Sequence, residues 1–173
     1  PSADWRDVVV ELGRRVRFRK PLWLDLGGIA KGHAVDGAVA ALRARGVEAG
    51  VVNAGGDLRV FGDASETIHV RDPRSPARSH PLLELRDGAA ATSSGYASAR
   101  DGRTALLDPR DGRSLGHAVS ATVVAPRALW ADALAKVVLA APAVLVASPA
   151  LLRRLQAQAA LVDGGGTVRR LGG

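Results

Sequence analysis

The chain of 173 residues contains no cysteine and no methionine. Without cysteine there is no disulfide framework, no thiol nucleophile and no Cys-ligated zinc or iron–sulfur site. Lysine is scarce as well: of 24 basic residues only Lys20, Lys31 and Lys136 are not arginine. With abundant alanine and glycine, that bias reads as GC-rich coding rather than as a binding surface. Aromatic residues make up 3% of the chain, and neither a basic helix nor a stacking platform accompanies the formal charge of +7. Nucleic acid is therefore not an expected partner. No apolar run approaches the roughly 18 residues of a membrane span. The most apolar stretch, Ala131 to Ala150, is broken by Asp132, Lys136, Pro142 and Pro149. Pro1 to Asp7 is polar and does not read as a secretory leader, which leaves location open.

What is present is enough for a folded protein. Hydrophobic residues reach 47% and charged residues 24%, and the length suits one domain, residues 1–173, with its own core. Asp7 to Leu12 and Arg15 to Arg19 flank Gly13-Arg14 and predict a hairpin. Trp23 to Gly28 reads as a short strand entering a glycine turn, followed by a helix from Ile29 to Arg45. Its apolar stripe is Ala34, Val35, Ala38, Val39, Ala41 and Leu42, and Gly46 closes it. Gly50 to Asn53 and Asp57 to Phe61 predict two strands around a second glycine turn. Short strands follow at Thr67–Arg71, Leu82–Arg86, Ala89–Ser93 and Thr104–Leu107, with Arg71 to Ser79 as a flexible loop. A stronger strand, Ala118 to Val124, precedes helices over Pro126–Leu139 and Pro149–Ala157 and a closing hairpin, Leu161-Val162 with Thr167 to Leu171. This order predicts an α+β fold with a largely antiparallel sheet and about three helices.

Four clusters could carry chemistry. In Asp25-Leu-Gly-Gly-Ile-Ala-Lys-Gly-His-Ala-Val-Asp36, two glycines at the entry to a helix let backbone N–H groups approach an anion, and Lys31 lies in the first turn. The spacing is neither Walker A nor G-x-G-x-x-G, and a tight turn with a surface lysine is the plain alternative. Asn53-Ala-Gly-Gly-Asp57 could hold a nucleotide or could be an Asx-bonded hairpin turn. Asp108-Pro-Arg-Asp-Gly112 has the composition of an ordinary turn. Asp132 could cap a helix, or pair with Lys136 four residues on. His33, His69, His80 and His117 show no metal-binding spacing, and Ser93-Ser94-Gly95 lacks the G-x-S-x-G frame of a serine hydrolase.

In this order the clusters resemble the ApbE family, the FAD:protein FMN transferases. Leu24 to Asp36 is similar to the family signature, and Val51-Val-Asn-Ala-Gly-Gly-Asp57 to its second motif. Ala91 to Gly95 resembles its T-S-G segment, Leu107 to Gly112 its H-I-x-D-P-x-T-G segment, and Ala131 to Lys136 its A-D-A-x-A-T helix. The resemblance implies transfer of FMN from FAD to a Thr or Ser of a client flavoprotein, with AMP leaving. It assigns Lys31 and the turn Gly27-Gly28 to the nucleotide, and Asn53, Gly55, Gly56 and Asp57, with Ser94 and Gly95 nearby, to the flavin pocket. Lys31 and Asp132 would carry the catalysis. Mg²⁺ would be held by the carbonyl of Ala30 and the side chain of Asp132. The resemblance also implies a periplasmic or membrane-anchored protein, with a longer N-terminal part that includes an export signal and helps enclose FAD.

Three positions depart from the pattern. The metal-binding Thr of the family is Lys136, the His of H-I-x-D-P is Ala105, and the Thr of D-P-x-T-G is Asp111. An ammonium has three donors and no acceptor, so it cannot ligate Mg²⁺. The expectation is an impaired transferase; the alternative is a non-catalytic FAD-binding or protein-interaction module of the same descent.

Overall fold

Short apolar runs separated by turn residues form antiparallel ladders where consecutive runs fold back on each other. The computed structural model describes residues 4–72, 75–95, 106–108, 110–115, 119–143 and 149–172. In it, β1 (Val8–Glu11) and β2 (Arg15–Phe18) form the expected N-terminal hairpin. The main sheet has six strands: β3 (Gly50–Ala54), β4 (Asp57–Asp72), β5 (Ser75–Ser94), β6 (Ser120–Ala125), β7 (Gln158–Val162) and β8 (Val168–Leu171). Each neighbouring pair is antiparallel, and spatial order follows chain order. With α1 (Ala30–Arg43), α2 (Ala128–Ala140) and α3 (Ala150–Arg154), the described residues form the expected α+β fold.

Several local expectations change. Trp23 to Leu26 forms no strand, because no segment among the described residues pairs with it; Trp23 is fully exposed. Arg71 to Ser79 is not a loop over its described residues: Arg71 pairs with Ser79 as β4 and β5 extend outward. The runs expected as separate strands belong to those same two long strands. The turn-like residues between them serve as a bulge, where Gly62 and Asp87 take φ of 66° and 38° and the register slips between Val60 and Ser65. Leu107 makes only an isolated bridge to Ser114, while Thr104, Ala105, His117 and Ala118 lie outside the described residues. The last helix is shorter than expected, since the chain reverses at Gln156 with φ 51°.

Alternation along β5 builds two cores. Ala89 and Ala91 face the helices and join Val35, Val123, Leu134 and Val138, whereas Ala90 joins Leu58, Val60, Ile68 and Leu85 on the opposite side. The buried stripe of α1 is Gly32, Val35, Asp36 and Val39; Ala34, Ala41 and Leu42 are exposed, so the stripe is narrower than expected and contains an acid. Gly32 is where α1 meets α2. A Cβ there would lie 2.2 Å from the carbonyl oxygen of Ala128 and 2.8 Å from the Cβ of Asp132. Only glycine allows the two helices to approach so closely.

Candidate active site

The close helix approach places the first turn of α1 against the second turn of α2. Asp132 is buried in that second turn rather than at the helix start, so it does not cap its own helix. One carboxylate oxygen accepts the backbone N–H of Gly32 at 2.9 Å. The other is paired with the Lys136 ammonium, which also donates to the backbone carbonyl of Asp132 at 3.0 Å. Lys31 reaches toward the same oxygen at 3.9 Å and pairs directly with buried Asp57 at the start of β4. Two acids and two lysines from α1, β4 and α2 thus form one alternating cluster. Burial pushes the Lys136 ammonium down to about 8, Asp57 pulling it up and Lys31 adding to the fall, and so it is still charged at neutral pH.

The glycine turns differ from each other. Gly55 and Gly56 connect β3 to β4 with φ of 69° and 104°, a two-residue hairpin that requires residues tolerant of positive φ. Asn53 accepts the Gly56 N–H at 2.8 Å, so the Asx bond is present. Gly27 and Gly28 sit in an exposed turn just before Ala30, which opens α1; the Gly27 N–H donates to Asp25 at 2.7 Å. β4 then turns successive residues to opposite sides. Asp57 faces Lys31, while Leu58 faces a cleft of about 660 Å³ that is also lined by Asn53, Gly55, Gly56 and Ser94. Gly95, next in the chain, is buried and donates to the carbonyl of Val119 at 3.2 Å. Asp57, Lys31, Asp132, Gly27 and Gly28 do not line the cleft. The structure thus brings the lysine and the two acids together on one side of the Gly55-Gly56 turn and Asn53 and Ser94 together on the other.

The family model of ApbE matches residues 1–162. The chain belongs to the ApbE family. An FAD:protein FMN transferase of Rhodobacter capsulatus is 35% identical over 132 residues, which is 71% of this chain and 25% of that protein. The crystal structure of the ApbE protein of Thermotoga maritima superposes with a TM-score of 0.78 at 31% identity, covering 97% of this chain and 58% of the other. The flavin transferase ApbE of Vibrio cholerae gives 0.75 at 26% identity, covering 95% of this chain and 55% of the other. The chain therefore spans a quarter of the first relative and little more than half of the two solved structures.

Within this ApbE chain, the residues expected to hold Mg²⁺ do not fit it as arranged. Both carboxylate oxygens of Asp132 are engaged, one by a backbone N–H and one by an ammonium. Unit charges 4 Å apart at an effective dielectric of 20 interact by about 4 kcal/mol, and a divalent ion roughly doubles its repulsion from each lysine. Among the described residues no three His, Cys, Asp or Glu cluster as metal ligands.

Sequence reasoning missed two groups. Asp36, the last residue of the first signature, is buried and accepts from the backbone N–H groups of Ala128 and Leu129, both at 3.1 Å, so α1 caps α2 across space. It also pairs with Arg59 at 2.7 Å and Arg127 at 3.3 Å. Beyond its place in that signature, its sequence signal is an acid on an otherwise apolar helical stripe. Glu66, His69 and Arg71 of β4 line the cleft without any motif to mark them. Among the described residues, Arg110 and Asp111 lie in a turn, as the composition of the segment suggests: Asp108 pairs with Arg110, which reaches the Ala140 carbonyl at 3.0 Å, and Asp111 accepts the N–H of Arg113.

Proposed function

We propose that this chain binds FAD and takes part in FMN transfer to a Thr or Ser hydroxyl of a client flavoprotein. The observation that carries the reading is the meeting of Lys31, Asp57 and Asp132 beside a glycine hairpin whose other side opens on a cleft. Family membership supports it, as do relatives described as FAD:protein FMN transferases. In the reaction, the client hydroxyl oxygen attacks the phosphorus on the FMN side of the FAD diphosphate. The bond from that phosphorus to the bridging oxygen breaks, AMP leaves with that oxygen, and the hydroxyl proton passes to solvent. Phosphoryl transfer of this kind needs positioning and charge neutralisation more than covalent help. Lys31 supplies a half-exposed ammonium for the diphosphate. Asn53, Gly55, Gly56 and Ser94 supply the walls for the flavin. Asp57 and Asp132 hold Lys31 in place.

Incubation with FAD and a client carrying the family's acceptor motif, followed by intact mass, is expected to show a covalent gain of one FMN. FAD binding without that gain would move the assignment to a second reading, a binding module without transfer. Lys136, seated where the family has a hydroxyl, favours that alternative.

A further inference from the structure

We infer that the Lys136 ammonium is the resident cation of this site, seated on Asp132 at the position the family pattern gives to Mg²⁺, and that an anionic ligand is held there without a divalent ion. The part concerning the ligand rests on the FAD reading above; the part concerning the metal does not.

The helix fixes the placement. Residues 132 and 136 lie one turn apart on α2, and Lys136 folds back to bind both the carboxylate and the carbonyl of Asp132. Asp132 is completely buried, and its second oxygen is held by the Gly32 N–H, so the carboxylate cannot swing away to meet an ion elsewhere. Charge points the same way. Two ammoniums balance the carboxylates of Asp57 and Asp132, and an added divalent ion would leave two positive charges uncompensated beside lysines that offer it no lone pair. Replacing Lys136 by threonine removes one positive charge and adds a hydroxyl oxygen, leaving Lys31 with two carboxylates, a net negative cluster that attracts a divalent ion and offers it an oxygen ligand. Lys136 and Lys31 keep 23% and 51% of their side chains exposed, so both ammoniums are within reach of a ligand from solvent. An ammonium can donate to a phosphate oxygen even though it cannot ligate an ion.

The test uses the whole chain and Mn²⁺ alone as probe, read by electron paramagnetic resonance. The wild type is expected to bind no stoichiometric Mn²⁺, and Lys136→Thr to gain one site that Mg²⁺ displaces and an added Asp132→Asn removes. In parallel, FAD binding followed by flavin fluorescence should be the same in chelator and in Mg²⁺ for the wild type. For Lys136→Thr it should tighten at least about tenfold with Mg²⁺. Stoichiometric Mn²⁺ binding by the wild type that Asp132→Asn abolishes would overturn the inference, as would a folded Lys136→Thr chain that still takes no Mn²⁺. The wild-type measurements stand even if the variant does not fold. Failure of both chains to bind FAD under either condition would overturn the FAD reading and the ligand half of this one, while the Mn²⁺ titration would still judge the metal half.

Discussion

Asp36 joins three elements through one carboxylate, and its titration should be visible in the stability of the whole protein. Burial raises its pKa, but the N–H groups of Leu129 and Ala128 and the Arg59 guanidinium outweigh burial, so the folded value lies below the ordinary 3.8. A carboxylate with a depressed folded-state pKa contributes its stability above the unfolded pKa and loses it as pH falls through the folded one. The wild type is therefore expected to lose stability on acidification below about pH 4. Asp36→Asn should be less stable at neutral pH by about 2–3 kcal/mol, since two arginines lose a buried partner. Its urea midpoint should also change less between pH 5 and pH 3 on the scale of a single carboxylate. Equal acid slopes in the two proteins would show that Asp36 is not the group responsible.

At the scale of elements, the crossing of α1 and α2 controls the site. It brings Gly32 against Asp132 and Asp36 against the start of α2, so a change in helix separation moves every charged group described above. Gly32→Ala would drive a methyl into the Ala128 backbone, a contact that rotamer changes cannot relieve. A loss of about 3 kcal/mol, at the upper end of overpacking costs, is expected in thermal or urea unfolding. Gly28→Ala is the matched control: an added Cβ there meets nothing within 4 Å. A Gly32→Ala protein as stable as this control would mean that the helices stand further apart than described. The same reasoning explains why the α1 stripe was misjudged from hydrophobicity. A glycine and an aspartate occupy two of the positions that meet α2, and neither counts as apolar.

For the whole molecule, the described strands divide into a six-stranded meander and a separate hairpin. β5 and β6 lie in the interior of the sheet, with α2 packed on them, and Ala121 and Val123 are fully buried. The β1–β2 hairpin pairs only with itself among the described strands, and all four residues of β2 are exposed. Hydrogen exchange should therefore be slowest for the β6 amides within the sheet and fastest, among the described strands, for β1 and β2. Equal protection in both sheets would show that the hairpin is covered by something outside the described contacts. No helix among the described residues is long and apolar enough to cross a membrane.

The sequence by itself determined the three helices and most of the strands, because periodicity and turn chemistry are local; that four short runs join as β4 and β5 depends on pairing across the sheet. Gly55-Gly56 reads as a tight turn and Pro126–Leu139 as a helix, and the structure has a hairpin turn and a helix over Ala128–Ala140. Spacing alone left Lys31, Asp57 and Asp132 as separate candidates, each with an ordinary structural explanation; their order along the chain is what revealed the family. The pairing of Lys136 with Asp132, one turn apart on a single helix, was legible as spacing; only the tertiary structure decided that Lys31 stands between two buried acids and that Asp36 caps a helix 92 positions away. These are consequences of where α1 crosses α2, and no local pattern encodes a crossing. It is set by the one position, Gly32, where the absence of a side chain lets two backbones meet.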